Sequence, residues 1–136
     1  MTESINKFEN KIGIKFKNKD LLVKSLIHKS HNSNENNEKL EFLGDRVLGL
    51  VFAKNLLKIY PNEKEGIIDK KFANLVNKKT CLLVARKLEL EKFITTGNSY
   101  KGLSRSDDKI ISDGLEALLG AIFLDQGMHT VEKFIL

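Results

Sequence analysis

Asn37-Glu38-Lys39-Leu40-Glu41-Phe42-Leu43-Gly44-Asp45-Arg46-Val47-Leu48 is the stretch around which the chain is organised. Its spacing predicts the start of a helix running on to about Lys58. Leu40, Leu43, Val47 and Val51 recur at helical intervals and define a core-facing stripe. Glu38, Glu41 and Asp45 lie three and then four residues apart, so they share a second face. No Lys or Arg is interleaved among them at matching spacing, and the carboxylates repel one another. Gly44 weakens the helix further, by roughly 1 kcal/mol relative to Ala. A helix selected for stability alone would avoid both features. One that holds a divalent cation against a close neighbour requires them.

The chain has 136 residues, 41% hydrophobic and 30% charged, which fits one globular domain with a real core. Runs of alternating β-branched residues are missing, and a single Pro leaves long helical patterns uninterrupted, so the expected class is all-α. The net charge of +5, with acids concentrated on one helix, suits a polyanionic partner bound through a metal. A Lys-rich solvated surface accounts for the charge equally well. Cys81 is the single cysteine, which rules out an internal disulfide; within an apolar run it reads as a small buried hydrophobe. A reducing compartment is implied. Residues 1–10 lack a signal-peptide core, and no apolar run approaches the ~20 residues that span a bilayer, so a cytoplasmic protein is expected.

Ile5, Phe8 and Ile12 mark a first amphipathic helix closed by Gly13. Asn18 or Asp20 caps a second, carrying Leu21, Leu22, Ser25 and Leu26 and ending near His28-Lys29-Ser30. Residues 31–37 are polar and Asn-rich and read as a loop. The acidic helix stops at Tyr60-Pro61. After a linker at 62–66, Ile67, Ile68, Phe72, Leu75 and Val76 form another stripe among Lys70, Lys71, Lys78 and Lys79. Thr80 is a candidate cap or bend before Leu82, Leu83, Ala85 and Leu88, and a further turn carries Leu90, Phe93 and Ile94. Residues 95–108 read as the longest loop and a mobile one. A helix over 110–125 buries Leu115, Leu118, Leu119 and Ile122, stops at Gly127, and is followed by one more from Thr130. The apolar pattern is still running at Phe134-Ile135-Leu136, so a C-terminal continuation is expected.

Asp113 and Glu116 sit three apart on the helix over 110–125, with Gly120 beside them as Gly44 lies beside Glu41 and Asp45. Small residues let helix backbones approach. Packed side by side, the two helices would bring Glu41, Asp45, Asp113 and Glu116 together. Four carboxylates in one cleft do not all stay ionised unless cations neutralise them. An all-oxygen set without His or Cys favours Mg²⁺ or Mn²⁺ over zinc. That is the arrangement for metal-assisted phosphodiester hydrolysis, in which the ion activates an attacking water. Local readings of single acids stand beside this one: Glu38 complements a helix dipole, and Asp113 or Ser112 caps a helix with Glu116 as capping-box partner.

The segments 37–45 and 113–125, together with Leu26-Ile27-His28-Lys29-Ser30, resemble the signature motif, second acidic helix and upstream motif of the ribonuclease III family. The resemblance covers essentially the whole chain. It implies an all-helical nuclease domain over residues 1–136, acting on double-stranded RNA as a homodimer with Mg²⁺, or with Mn²⁺ as a substitute. It implies Glu41, Asp45, Asp113 and Glu116 as metal ligands, with Asp45 and Glu116 catalytic, Glu38 and Glu65 as supporting acids near the cleavage valley, and Phe42 inserted into the partner subunit. On spacing alone Phe42 would be ordinary core. Family products carry 5′-phosphate and 3′-hydroxyl ends. Two departures stand out: Asp69 replaces a usual Ser or Thr, and Gly97-Asn98-Ser99-Tyr100 replaces a Gly-x-Gly-Glu run. The family's C-terminal double-stranded-RNA-binding domain is absent from these 136 residues. Lys70, Lys71, Lys78, Lys79 and Lys101 or Arg105 are candidates for the RNA path. His28 and His31 read as structural or solvated. A catalytically silent RNA-binding or ribosome-associated module on the same fold is the alternative; such relatives lose part of the acidic quartet, and this chain keeps all four.

Overall fold

In a computed structural model, residues 2–97 and 107–136 are described. Their elements are α1 (Thr2–Ile12), α2 (Lys19–Ser25), α3 (Glu38–Ile59), α4 (Glu65–Leu75), α5 (Lys78–Lys87), a 3₁₀ turn (Leu90–Lys92), α6 (Asp108–Gln126) and α7 (Met128–Ile135). Among the described residues the one extended pairing is an isolated parallel bridge between Ile27 and Thr95. The all-α expectation is therefore met.

α6 is the centre. Ile111, Ser112, Gly114, Leu115 and every residue from Ala117 to Ile122 are buried. A helix apolar on nearly all sides is a buried helix, and α2, α3, α5 and α7 surround this one. Leu40, Val47 and Val51 of α3 are buried against it, with Leu43 partly covered. The crossing of α3 and α6 is backbone against backbone. A Cβ built on Gly44 would lie 1.6 Å from the Glu116 carbonyl oxygen, and one on Gly120 would lie 2.2 Å from that of Leu40. Only glycine fits on either side.

The Asn-rich segment at 31–37 is a built loop. Asn32 accepts from the backbone N–H groups of Asn34 and Glu35, both at 3.0 Å. Asn36 accepts from Glu38 N at 3.0 Å, and the buried Asn37 side chain donates to Ser25 O at 3.1 Å. Together these pin the start of α3. At the far end of α6, Asp125 accepts from the N–H groups of Lys17 and Asn18, each at 2.9 Å, and so clamps the α1–α2 connection.

Several boundaries differ from the sequence reading. Glu65 and Gly66, read as linker, are the first residues of α4. The break before α5 belongs to Asn77, not Thr80. The Asn77 side chain accepts from Thr80 N at 2.8 Å and donates to Ala73 O and Asn74 O, so one residue closes α4 and opens α5. α6 starts two residues earlier than expected, and α7 begins at Met128 rather than Thr130. Leu83 faces outward, and no residue of α4 is fully buried, because the apolar residues of α4 and α5 cover more of each helix than this one chain can hide. Lys101, Arg105 and residues 98–106 generally lie outside the described residues.

Candidate metal centre

α3 and α6 face each other with their acids because the two glycines fix both their distance and their register. One carboxylate oxygen from each of Glu41, Asp113 and Glu116 lies within 4.8 Å of the other two. Oxygen ligands around one Mg²⁺ stand about 3 Å apart when adjacent and about 4 Å when opposite. Small side-chain rotations would therefore close the three into one shell. Asp45, one turn along α3 from Glu41, joins the group through a hydrogen bond with Glu116. It stands outside the close trio. All four line a cleft of about 430 Å³ with Glu38, Phe42, Arg46, Lys78 and Lys109. A smaller hollow of about 230 Å³ shares Glu38, Glu41, Asp113 and Lys109 with it and adds His28, Lys29, Asn37 and Ile110.

The charges are strained without a cation. Burial, and then the hydrogen bond to Asp45, push the Glu116 carboxyl up to about 8. Burial, and then the charge of Asp113, raise Glu41. Two side-chain cations already lean on the group: Lys109 Nζ lies 2.6 Å from Asp113 Oδ2, and Arg46 Nη1 lies 3.4 Å from Asp45 Oδ2. Lys109 titrates above its ordinary value, chiefly through the hydrogen bond to Asp113. Such a set of hard oxygen donors at one half-buried corner fits a small divalent cation and leaves open sides for water and a phosphate.

Of the supporting residues, Glu38 lines both hollows and stands 4.0 Å from Lys29. Glu65 is exposed at the start of α4 and lines neither. Phe42 is 63% exposed, so the core reading from spacing fails: it projects from the rim with Arg46 stacked 3.9 Å from its ring. Cys81 is buried as expected, and burial pushes its thiol up to about 11, which makes it unreactive. His28 is held by Ser30: Nδ1 accepts from Ser30 N at 3.2 Å and lies 2.7 Å from Ser30 Oγ, which in turn accepts from Gly97 N. Burial lowers its pKa. Sequence reasoning missed Lys109 and Arg46. The signal for Lys109 was its position four residues before Asp113; Arg46 directly follows Asp45, an interval at which helical side chains diverge.

A helical domain whose central helix meets a second helix glycine to glycine, with acids from both at the crossing, defines a helical fold with a candidate divalent-cation site. The ribonuclease-III-like family model matches residues 18–136, and the chain belongs to that family. A protein named ribonuclease 3 from Pelagibacter ubique is 57% identical over 130 residues, covering 96% of this chain and 59% of that protein. Ribonuclease 3 of Azotobacter vinelandii is 41% identical over 137 residues, covering 100% of this chain and 59% of the relative. The chain thus spans about three fifths of the length of these relatives. Among solved structures, the nuclease domain of ribonuclease III from Campylobacter jejuni superposes with a TM-score of 0.85 at 37% identity, covering 96% of this chain and 92% of that one; it is described as flexible in a region involved in dimer formation.

Proposed function

We propose that residues 1–136 are the nuclease domain of a homodimeric endoribonuclease that cleaves double-stranded RNA, in rRNA and mRNA processing in the cytoplasm, using Mg²⁺ (with Mn²⁺ as a substitute) and leaving 5′-phosphate and 3′-hydroxyl ends. The observation that carries this reading is the convergence of Glu41, Asp113 and Glu116 within 4.8 Å, with Asp45 bonded to Glu116, at the crossing of α3 and α6. Glu41, Asp45, Asp113 and Glu116 would hold the cation, with Asp45 and Glu116 closest to the chemistry and Glu38 and Glu65 supporting. A cation held by these carboxylates would supply Lewis-acid chemistry, lowering the pKa of an attacking water and offsetting charge on the phosphodiester oxygens. The protein fixes the carboxylates, and the glycine crossing keeps them from drifting apart. A-form RNA is gripped through phosphates and 2′-hydroxyls. Lys78 at the cleft rim suits that task, with exposed Lys70 and Lys79 further out. Lys71 lies over the Tyr60 ring, 4.3 Å from its centroid, and is a weaker candidate. None of the described helices is long and apolar enough to cross a membrane.

The direct test is a gel of long double-stranded RNA incubated with the protein, with Mg²⁺ and then with chelator. Fragments in the Mg²⁺ lane alone support the nuclease. Binding without cleavage at high protein concentration would instead support a silent RNA-binding module.

The exposed Phe42 ring is proposed as the plug of the dimer. Burying a phenylalanine contributes about 1.5–3 kcal/mol, and a two-fold axis doubles the effect. Phe42→Ala should weaken dimerisation about 10²-fold or more, read by sedimentation across a protein dilution series. An unchanged dimer would remove Phe42 from the interface.

A further inference from the structure

Lys109 is the second residue of α6, where the helix dipole favours acids over cations. Asp108, just before it, follows that rule and pairs with Arg86 at 2.9 Å. Lys109 breaks it and reaches one turn along the helix to place Nζ 2.6 Å from Asp113 Oδ2. The pair is lopsided: the Lys109 side chain is 71% exposed, whereas Asp113 is 17% exposed. An exposed cation therefore caps an inward-facing anion. Lys109 also borders both hollows, so its ammonium stands at the mouth of the carboxylate cluster.

We propose that Lys109 is the resident counter-cation of the metal-free site, whose ammonium must release Asp113 when a divalent ion binds, so that Lys109 competes with the metal and sets its affinity. This rests on the metal-centre reading above. Glu41, Asp113 and Glu116 each place a carboxylate oxygen within 4.8 Å of the others, and the ammonium offsets the charge of Asp113. A divalent ion draws on the same Asp113 carboxylate. Two cations at one carboxylate repel, and the one on a flexible four-carbon stem gives way. The site is thus held together before loading, and its affinity is held below what four bare carboxylates would reach. The neighbouring Arg46–Asp45 pair is the weaker counterpart: its oxygen is 3.4 Å away and both side chains are exposed.

Calorimetric titration of the full-length protein with Mn²⁺ tests this. Lys109→Met keeps the aliphatic stem and removes the charge; it should bind Mn²⁺ about fivefold tighter than wild type. Lys109→Arg should stay within about twofold of wild type, because it retains a cation at Asp113. Without metal, Lys109→Met should melt at a lower temperature than wild type, and Mn²⁺ should raise its melting temperature by more. An Mn²⁺ affinity in Lys109→Met equal to or weaker than wild type overturns the proposal: the lysine is then a bystander or an aid to binding. Should Lys109→Met fold poorly by circular dichroism, Lys109→Gln carries the same comparison. If wild type binds no Mn²⁺, or Glu116→Gln binds it as tightly as wild type, the metal-centre reading fails first and takes this proposal with it.

Discussion

Gly44→Ala should unfold or badly loosen this protein, although it adds one methyl group to a helix. The new Cβ would lie 1.6 Å from the Glu116 carbonyl oxygen and 2.6 Å from its carbonyl carbon. Those atoms belong to the backbone of the central helix, so no side-chain rotation relieves the collision. α3 and α6 would have to separate, opening the tightest packing in the core. Overpacking of interiors costs about 1–3 kcal/mol even where flexible side chains adjust; against backbone, a loss of at least about 3 kcal/mol is expected. A shift of the urea midpoint measures it. Separation of the helices also parts Glu41 from Glu116, so Mn²⁺ binding should weaken in whatever folded protein remains. Gly66→Ala is the control. Nothing lies within 4 Å of its added Cβ, and its helical position favours Ala by about 0.5–1 kcal/mol, so stability should stay level or rise. Equal midpoints for Gly44→Ala and wild type would rule out the glycine crossing.

The second large effect is expected at Glu116. Glu116→Gln keeps the shape of the side chain and removes its charge. Loss of one ligand from a metal centre that supplies several kcal/mol of transition-state stabilisation should lower the cleavage rate about 10³-fold or more. Metal-free stability should move the opposite way. The Glu116 carboxyl is pushed from 4.5 to about 8 in the folded chain by burial and by its bond to Asp45. A group whose folded pKa is raised takes up a proton on folding. Its favourable contribution is complete below pH 4.5 and is lost as pH rises towards about 8. The melting temperature of metal-free wild type should therefore decline across that window, and Glu116→Gln should show less of the decline. Added Mg²⁺ should restore wild type at the alkaline end far more than the variant. Wild-type cleavage by Glu116→Gln would remove this residue from the site.

Much of this was readable from local pattern. The Leu40, Val47 and Val51 stripe is buried, the acids do share faces, and Gly44 and Gly120 do mark a close approach. These follow from helical periodicity and from the absence of a side chain, properties that a linear string carries in full. Other features depend on competition or distance. Asn77 displaced Thr80 as the cap because it also closes the preceding helix, which only the α4–α5 geometry rewards. Phe42 looks like core by residue type, yet it stands exposed at the rim of the cleft that α3 and α6 form. Periodicity says which residues share a face, but not which face meets which, at what depth or in what register. The crossing of α3 and α6 decided that. It set Glu41, Asp113 and Glu116 within 4.8 Å of one another, left Asp45 one bond further out, and brought Lys109 to the mouth of the cluster. The acids were legible as residue types, but their convergence exists only where the two backbones meet.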